Sequence, residues 1–245
     1  NTLENEHELD KNSLVELLEC KNMPILYAAA DRVRRKVVGD DVHLRGLIEF
    51  SSFCCRTCFY CGLRAANSGI KRYRMEYEEV FECAAHAVKC GLKTIVLQSG
   101  EDKFFTVSDL CKIVDRIKDM GTAVTLSVGE LSRNDYTALK HAGADRYLLR
   151  IETSNEKLYD SLHPGMSYKN RVRCLYDLKE LGYETGTGCL IGLPGQTSEM
   201  LAEDLLFFKK IDADMIGMGP FIPCKGTPLE YEAAGNVETV LKMMS

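Results

Sequence analysis

A chain of 245 residues that is 45% hydrophobic and 27% charged has apolar material for one large α/β domain or two small ones. Its net charge of −5 and pI near 5.7 argue against a nucleic-acid surface and against a field built for strongly anionic substrates. No apolar run approaches the roughly 20 residues that cross a bilayer; the opening "NTLENEHELDKNS" is too polar and acidic for a signal or transit peptide, and it lacks an initial Met, so a trimmed or partial chain is expected.

The first forty residues read as helical. "SLVELLEC" carries a capping box from Ser13 to Glu16, and "MPILYAAADRVRRKVVGD" keeps helical spacing up to a glycine stop. Beyond them the pattern alternates. "VHLRGLIEFS" predicts a strand, a cysteine-rich loop follows, and "EYEEVFECAAHAVKCG" predicts a helix. Strand "KTIVLQSG" precedes helix "TVSDLCKIVDRIKDMG", and strand "AVTLSVGE" precedes helix "SRNDYTALKHAG". Strand "DRYLLRIET" leads into helical "NEKLYDSLHP" and "YKNRVRCLYDLKELG". Strand "YETGTGCLIGLPG" leads into helix "TSEMLAEDLLFFKKI". Strand "DMIGMGPFIP" follows, and the sequence stops inside a further helix, "VETVLKMMS".

Nearly continuous apolar strands separated by amphipathic helices mean a parallel sheet with helical crossovers. Roughly six such units fit a (β/α) barrel or a doubly wound sheet. Polar and Gly-rich residues gather at the strand ends "QSGED", "SVGE", "RIETSN" and "GLPGQT". A barrel would bring these ends to one face, so the barrel is favoured. A closed barrel needs about two more units. The expected fold is therefore α/β, an incomplete TIM-type barrel over residues 42–245 behind an N-terminal helical extension over residues 1–41.

The cysteines number 11, which is odd, and seven are scattered: Cys20, Cys83, Cys90, Cys111, Cys174, Cys189 and Cys224. Thiols sitting in helix-like segments fit a reducing, intracellular compartment without structural disulfides. The other four crowd into "FSSFCCRTCFYCGLR". Two registers are open, Cys54-x3-Cys58-x2-Cys61 and Cys55-x2-Cys58-x2-Cys61. The second resembles a ferredoxin run but has Ala65 where a further ligand belongs. A structural zinc site wants four ligands, and no second pair or His stands at matching spacing. Cys54, Cys58 and Cys61 together offer three thiolates, enough for three irons of a cubane whose fourth iron stays open to a small molecule. Buried thiols without a metal are the plain alternative.

That spacing, directly after the first strand and with an aromatic residue before the last cysteine, resembles the radical S-adenosylmethionine (SAM) superfamily. The resemblance implies a 4Fe-4S cluster on Cys54, Cys58 and Cys61 whose open iron chelates SAM. An electron from the cluster then cleaves SAM to methionine and a 5′-deoxyadenosyl radical. Ser99, Gly100 and Glu101 look like the superfamily's motif after the second strand, which receives the methionine amino group; a turn with a solvated Glu is the alternative. Arg150 and Glu152 alternate with Ile151, so they share one side of an otherwise apolar strand. Charge there is costly unless paired or bound to ligand. Arg171 lies early in a helix, where a solvated face is the default.

"TGTGCLIGLPG" lacks the strand-to-helix turn of a dinucleotide fingerprint. Its glycines, Gly192 among them, suit close backbone approach to a ligand, as in the superfamily's fifth-strand element near adenine. Where that element usually ends on an acidic residue, this sequence has Gly195. "IKRYRM" reads as a solvated or loop-clamping basic run, without the pattern of a nucleic-acid site.

The strings "CGLRAANSGIKRYRM", "TIVLQSGED", "VTLSVGE", "ADRYLLRIETSN", "LKELGYETGTGCLIGLPGQT" and "DMIGMGPFIP" are similar to the HydE family of FeFe-hydrogenase maturases, from about Val42 to Pro223. The similarity implies Tyr60 near adenine and SAM held by Glu152 and Arg171, with Arg150 nearby. Gln98, Thr125 and Ser127 would line the cavity toward a small organometallic or sulfur-containing substrate. Implied partners are an electron donor such as reduced ferredoxin or flavodoxin and other hydrogenase maturases, with no nucleic acid and no membrane. The implied location is the cytoplasm or the matrix of an anaerobic organelle. HydE proteins continue beyond this terminus, so a partial sequence or an incomplete, inactive protein is expected. Cys55 is an additional thiol able to compete for iron. Methylornithine synthase and biotin synthase are the neighbouring alternatives. A non-catalytic iron–sulfur or zinc module would explain the cysteines but not Glu152, Arg150 or the Gly-rich strand ends.

Overall fold

Short apolar segments lie side by side in chain order, all parallel. They are β1 (Gly46–Ser51), β2 (Thr94–Ser99), β3 (Ala123–Ser127), β4 (Arg146–Leu148) and β5 (Glu184–Thr187), followed by the brief β6 (Leu190–Ile191), β7 (Met215–Ile216) and β8 (Gly219–Pro220). The six-stranded sheet runs β1-β2-β3-β4-β5-β7, and β6 pairs with β8 beyond it. Thus β5 with β6, and β7 with β8, are two strand lines that each break for a few residues. The computed structural model describes residues 8–21 and 23–245. Most of the polar opening stretch, residues 1–7, lies outside the described residues.

Parallel neighbours require crossovers, and helices supply them. Helices α1 (Lys11–Glu19) and α2 (Met23–Val37) come before the sheet. Helices α3 (Tyr77–Lys89), α4 (Val107–Lys118), α5 (Arg133–His141), α6 (Glu156–Leu162), α7 (Tyr168–Glu180) and α8 (Ser198–Lys210) alternate with the strands, and α9 (Val237–Met244) closes the order. Reciprocal capping boxes, Thr106 with Asp109 and Ser132 with Asp135, satisfy the first amide groups of α4 and α5. Helix α1 starts differently from the expectation. Its cap is Asp10, whose carboxylate accepts the Ser13 amide at 2.9 Å, and Ser13 lies inside the first turn. A carboxylate at this end also meets the positive pole of the helix, so Asp10 wins the cap.

The core sits between the sheet and its helices. Ile48, Phe50, Ile95, Leu97, Val124, Leu126 and Tyr147 are all buried on one face. On α4, Leu110, Ile113, Val114 and Ile117 recur at helical spacing and are buried against it. Each such aliphatic side chain contributes about 1.5–3 kcal/mol. The opposite face is polar near the strand ends. Glu49, Gln98 and Ser127 stand at one register level across β1, β2 and β3. Thr125 is two residues before Ser127 and therefore on the same face, buried and with no partner for its hydroxyl. Sheet order leaves β1 and β7 as edges, so the barrel is open. Among the described residues no helix is long and apolar enough to cross a membrane.

Candidate functional site

The cysteine loop leaves the end of β1 and is tied shut where the chain returns. Tyr73 and Met75 exchange backbone hydrogen bonds with Ser52 and Phe50. Within the loop, the Arg72 guanidinium donates to the carbonyls of Ser52, Leu63, Arg64 and Asn67 at 2.7–3.3 Å. Arg74 reaches Asp102 at 2.7 Å and lies 3.8 Å over the Phe53 ring. The basic run "IKRYRM" is thus a clamp on the loop. No disulfide joins any described cysteine.

The four loop thiols are not equivalent. Cys54, Cys58 and Cys61 are half-buried, while Cys55 is exposed. The amides of Arg56 and Glu101 both donate to Cys54 Sγ at 3.4 Å. Cys58 Sγ stands 3.8 Å from Met166 Sδ. Burial pushes all three thiols up, Cys58 to about 12, and neighbouring thiols add to the effect. Without a cation these are protonated thiols, and bound iron would have to displace their protons. Among the described residues no three ligating side chains gather closely enough for a single ion. A four-iron cubane spreads its thiolates more widely than one ion does.

Gly100 permits this approach. A Cβ at that position would lie 2.4 Å from the Phe53 carbonyl oxygen and 2.5 Å from Cys54 Cβ. Gly100→Ala should therefore push the β2 end away from Cys54, costing about 1–3 kcal/mol and lowering iron uptake. Thermal melts and iron content per chain check this.

A buried ion network backs the loop. Arg56 Nε meets Glu101 at 2.6 Å, and its Nη2 lies 3.5 Å from Glu130. Glu130 pairs with Arg171 Nε at 2.7 Å and accepts the Asn170 side-chain amide at 2.7 Å. Arg171 Nη1 also donates to the Arg150 carbonyl. Two sequence expectations change here. Arg171 does not lie on a solvated helix face; its side chain is 9% exposed because Glu130 draws it inward. The Glu101 carboxylate is held by Arg56 and the Glu130 amide, so it does not project into solvent. Ser99 Oγ turns onto the Gly100 carbonyl at 2.7 Å. Sequence reasoning missed Glu130 and Arg56. Their signal was position alone, one at a polar strand end and the other between the cysteines.

Arg150 and Glu152 do share a site, but with irregular backbone. Glu152 sits at φ 65°, a left-handed conformation uncommon for residues other than Gly, Asn and Asp and often kept at functional positions. Its carboxylate is buried, and burial raises it against the pull of Arg150 and Arg171. Glu152 Oε2 is 3.2 Å from Arg150 Nη2 yet lacks a hydrogen bond of good geometry, and Arg150 Nε has no partner. Orphaned buried polar atoms mark a place where a polar ligand would be satisfied. Glu152 also lies near enough to Tyr60 and Cys61 to raise both. Half-buried Tyr60 thereby belongs to the same cluster of groups.

Gly192 is enclosed by the chain itself. Its φ is 87°, and a Cβ there would come within 2.4 Å of Gly235 Cα. The backbone that approaches this glycine is the chain's own, 43 residues on.

Asp204, on α8, is buried beneath the Glu152 turn and accepts the Ser154 amide at 2.5 Å. Burial raises its carboxyl to about 7, with the Glu203 and Glu152 charges adding to the rise. The folded chain then holds this proton more tightly than an unfolded chain, so stability should fall as pH rises from about 4 to about 7. Asp204→Asn should flatten that slope, worth at most about 4 kcal/mol. Urea melts at about pH 5 and about pH 8 check this; identical slopes in parent and variant would contradict it.

The donor set fits a cluster with SAM beside it: three half-buried thiols on one loop, Arg171 beside Cys58, and Arg150 Nε and Glu152 Oε2 alongside without hydrogen bonds. Comparison with known proteins agrees. The sequence model of the Radical SAM superfamily matches residues 48–208. The chain is 55% identical to the FeFe hydrogenase maturase subunit HydE of Thermotoga maritima, over 90% of this chain and 63% of that protein. It is 31% identical to the 3-methylornithine synthase of Methanosarcina acetivorans, again over 90% of this chain and 63% of the relative. The chain thus spans under two thirds of the length of these two curated relatives. The crystal structure of methylornithine synthase (PylB) superposes with a TM-score of 0.91 at 29% identity, covering 99% of this chain and 75% of that one. That of the maturase HydG, at 19% identity and a TM-score of 0.86, covers 99% and 58% and shows the shared fold. By its sequence model, its barrel and its relatives, this chain belongs to the radical SAM superfamily.

Proposed function

We propose that the chain carries the SAM-cleaving centre of a HydE-type maturase that acts in assembly of the FeFe-hydrogenase di-iron subcluster. Radical SAM enzymes use a 4Fe-4S cluster and SAM, and in this reading Cys54, Cys58 and Cys61 hold the cluster. When bound, the cluster supplies the electron that splits SAM into methionine and a 5′-deoxyadenosyl radical. The chain's own residues do the rest. The two amides aimed at Cys54 Sγ favour its thiolate. The Arg171 guanidinium pulls the Cys58 thiol toward its thiolate, against the burial that raises it.

Arg150 Nε and Glu152 Oε2, buried without partners, are the groups left to meet the charged ends of SAM. Arg171 supports them by holding the Arg150 carbonyl, and Glu101 supports the loop through Arg56. Gln98, Thr125 and Ser127, on one face of the strands, would line the way to a small organometallic or sulfur-containing substrate. Reduced ferredoxin or flavodoxin would be the electron donor, in the cytoplasm or an anaerobic organelle's matrix, with other hydrogenase maturases as companions. Higher identity to the maturase than to methylornithine synthase, over the same share of the chain, favours this reading over its neighbour.

The observation that carries the proposal is the convergence of the three half-buried thiols with Arg150 Nε and Glu152 Oε2, two buried atoms that no hydrogen bond satisfies. The test is anaerobic. The chain is reconstituted with iron and sulfide, reduced with dithionite and given SAM, with Thermotoga maritima HydE as the positive control. Formation of 5′-deoxyadenosine is expected. A fully loaded, reduced chain that forms none while the control does would overturn the reading.

A further inference from the structure

The segment after α6 forms a back wall to the cysteine loop. Phe59 donates its amide to the Leu162 carbonyl at 2.9 Å. Thr57 Oγ1 reaches the Pro164 carbonyl at 3.3 Å, and Met166 Sδ touches Cys58 Sγ. Between these contacts lies His163, 1% exposed. Its Nδ1 is 2.7 Å from the Tyr159 carbonyl, and its Nε2 is 2.8 Å from the Tyr60 hydroxyl.

The proton positions follow from these partners. A carbonyl only accepts, so Nδ1 carries the hydrogen. Burial lowers the imidazole to about 4, so the ring is neutral and Nε2 is a bare lone pair. The Tyr60 phenol must therefore donate to His163. The imidazole is itself fixed by stacking on the Tyr159 ring, 4.0 Å between centroids at 18°. The Arg171 guanidinium lies 5.9 Å from the centre of the Tyr159 ring, linking the wall to the ion network.

Tyr60 stands between Cys58 and Cys61, so whatever fixes its ring fixes the relative placing of those two thiols. We propose that His163 is a positioning residue that pre-shapes the Cys58–Cys61 segment through its hydrogen bond from Tyr60, holding the loop in its binding conformation before any iron arrives. This rests on the reading that Cys58 and Cys61 are cluster ligands, but the pre-shaping itself is a property of the metal-free chain.

The experiment uses His163→Phe, which keeps the stack and loses the acceptor, Tyr60→Phe, which removes the donor and leaves His163 intact, the double variant, and His163→Gln, whose amide oxygen can accept again. In the metal-free chain, alkylation rates of Cys58 and Cys61 by iodoacetamide are read by mass spectrometry against exposed Cys90. After reconstitution, the rate of iron loss to a chelator is read as well.

His163→Phe and Tyr60→Phe should each raise the Cys58 and Cys61 alkylation rates about fivefold, the factor one net hydrogen bond supplies. The double variant should add little beyond either single change, and His163→Gln should recover most of the loss. Iron loss should rise in parallel. Unchanged alkylation in Tyr60→Phe, or single effects that multiply in the double variant, would overturn the proposal, even if His163→Phe failed to fold. A parent chain that takes up no iron would sink the cluster reading instead, while the alkylation rates would still decide the role of His163.

Discussion

Cys58→Ala is expected to abolish cluster binding, whereas Cys55→Ala should bind iron and sulfide as the parent does. Cys58 is half-buried between Met166 and the Arg171 side of the loop, and its thiol is held neutral by burial until a metal displaces the proton. In the proposed ligand set of Cys54, Cys58 and Cys61, loss of one leaves two irons of a cubane without protein ligands. Cys55 points outward, and its contribution to the loop is a backbone amide that donates to the Glu101 carbonyl at 3.0 Å, which alanine retains. Iron and sulfide content per chain separates the outcomes. If Cys55→Ala lost the cluster while Cys54→Ala kept it, the ligand register would be the other one.

The second large effect is on stability. Glu130→Ala should destabilise the metal-free chain by about 3–5 kcal/mol, because it strands the Arg171 guanidinium in a buried site without its carboxylate. Both side chains are under one tenth exposed, and Glu130 also accepts from Asn170 and faces Arg56. For a chain of this size that loss corresponds to a melting-temperature drop of about 10 °C. Replacing both partners, Glu130→Gln with Arg171→Met, should recover part of the loss, since the buried charge is gone with its counter-charge. Urea melts of the parent, Glu130→Ala and the double variant check it. A Glu130→Ala loss below about 1 kcal/mol would place the pair among weak surface bridges.

The regular parts of this fold are legible in the sequence because they rest on short periods. Ile95, Leu97, Val124 and Leu126 alternate inside apolar runs, and the four core positions of α4 recur at helical spacing. The spacing leaves two cysteine registers open and the family resemblance favours Cys54, Cys58 and Cys61, which are the three loop thiols the fold half-buries while it exposes Cys55. What depends on distant partners was not legible. The burial of Arg171 follows from Glu130, which lies 41 positions away on another strand end. Gly192 needs its missing side chain because Gly235 crosses it, a contact that no local pattern encodes. The start of α1 slipped for a local reason: Ser13 and Glu16 match a capping box, but Asp10, three residues earlier, is the stronger cap.

In the proposed function, three thiolates hold a cluster whose fourth iron is open to SAM. Electron paramagnetic resonance of the reconstituted, dithionite-reduced chain with and without SAM tests it most directly. A reduced 4Fe-4S signal whose g-values shift when SAM is added is expected, with no such signal in Cys58→Ala. A signal identical with and without SAM would contradict it, as would a chain that takes up zinc in preference and shows no cluster signal at all.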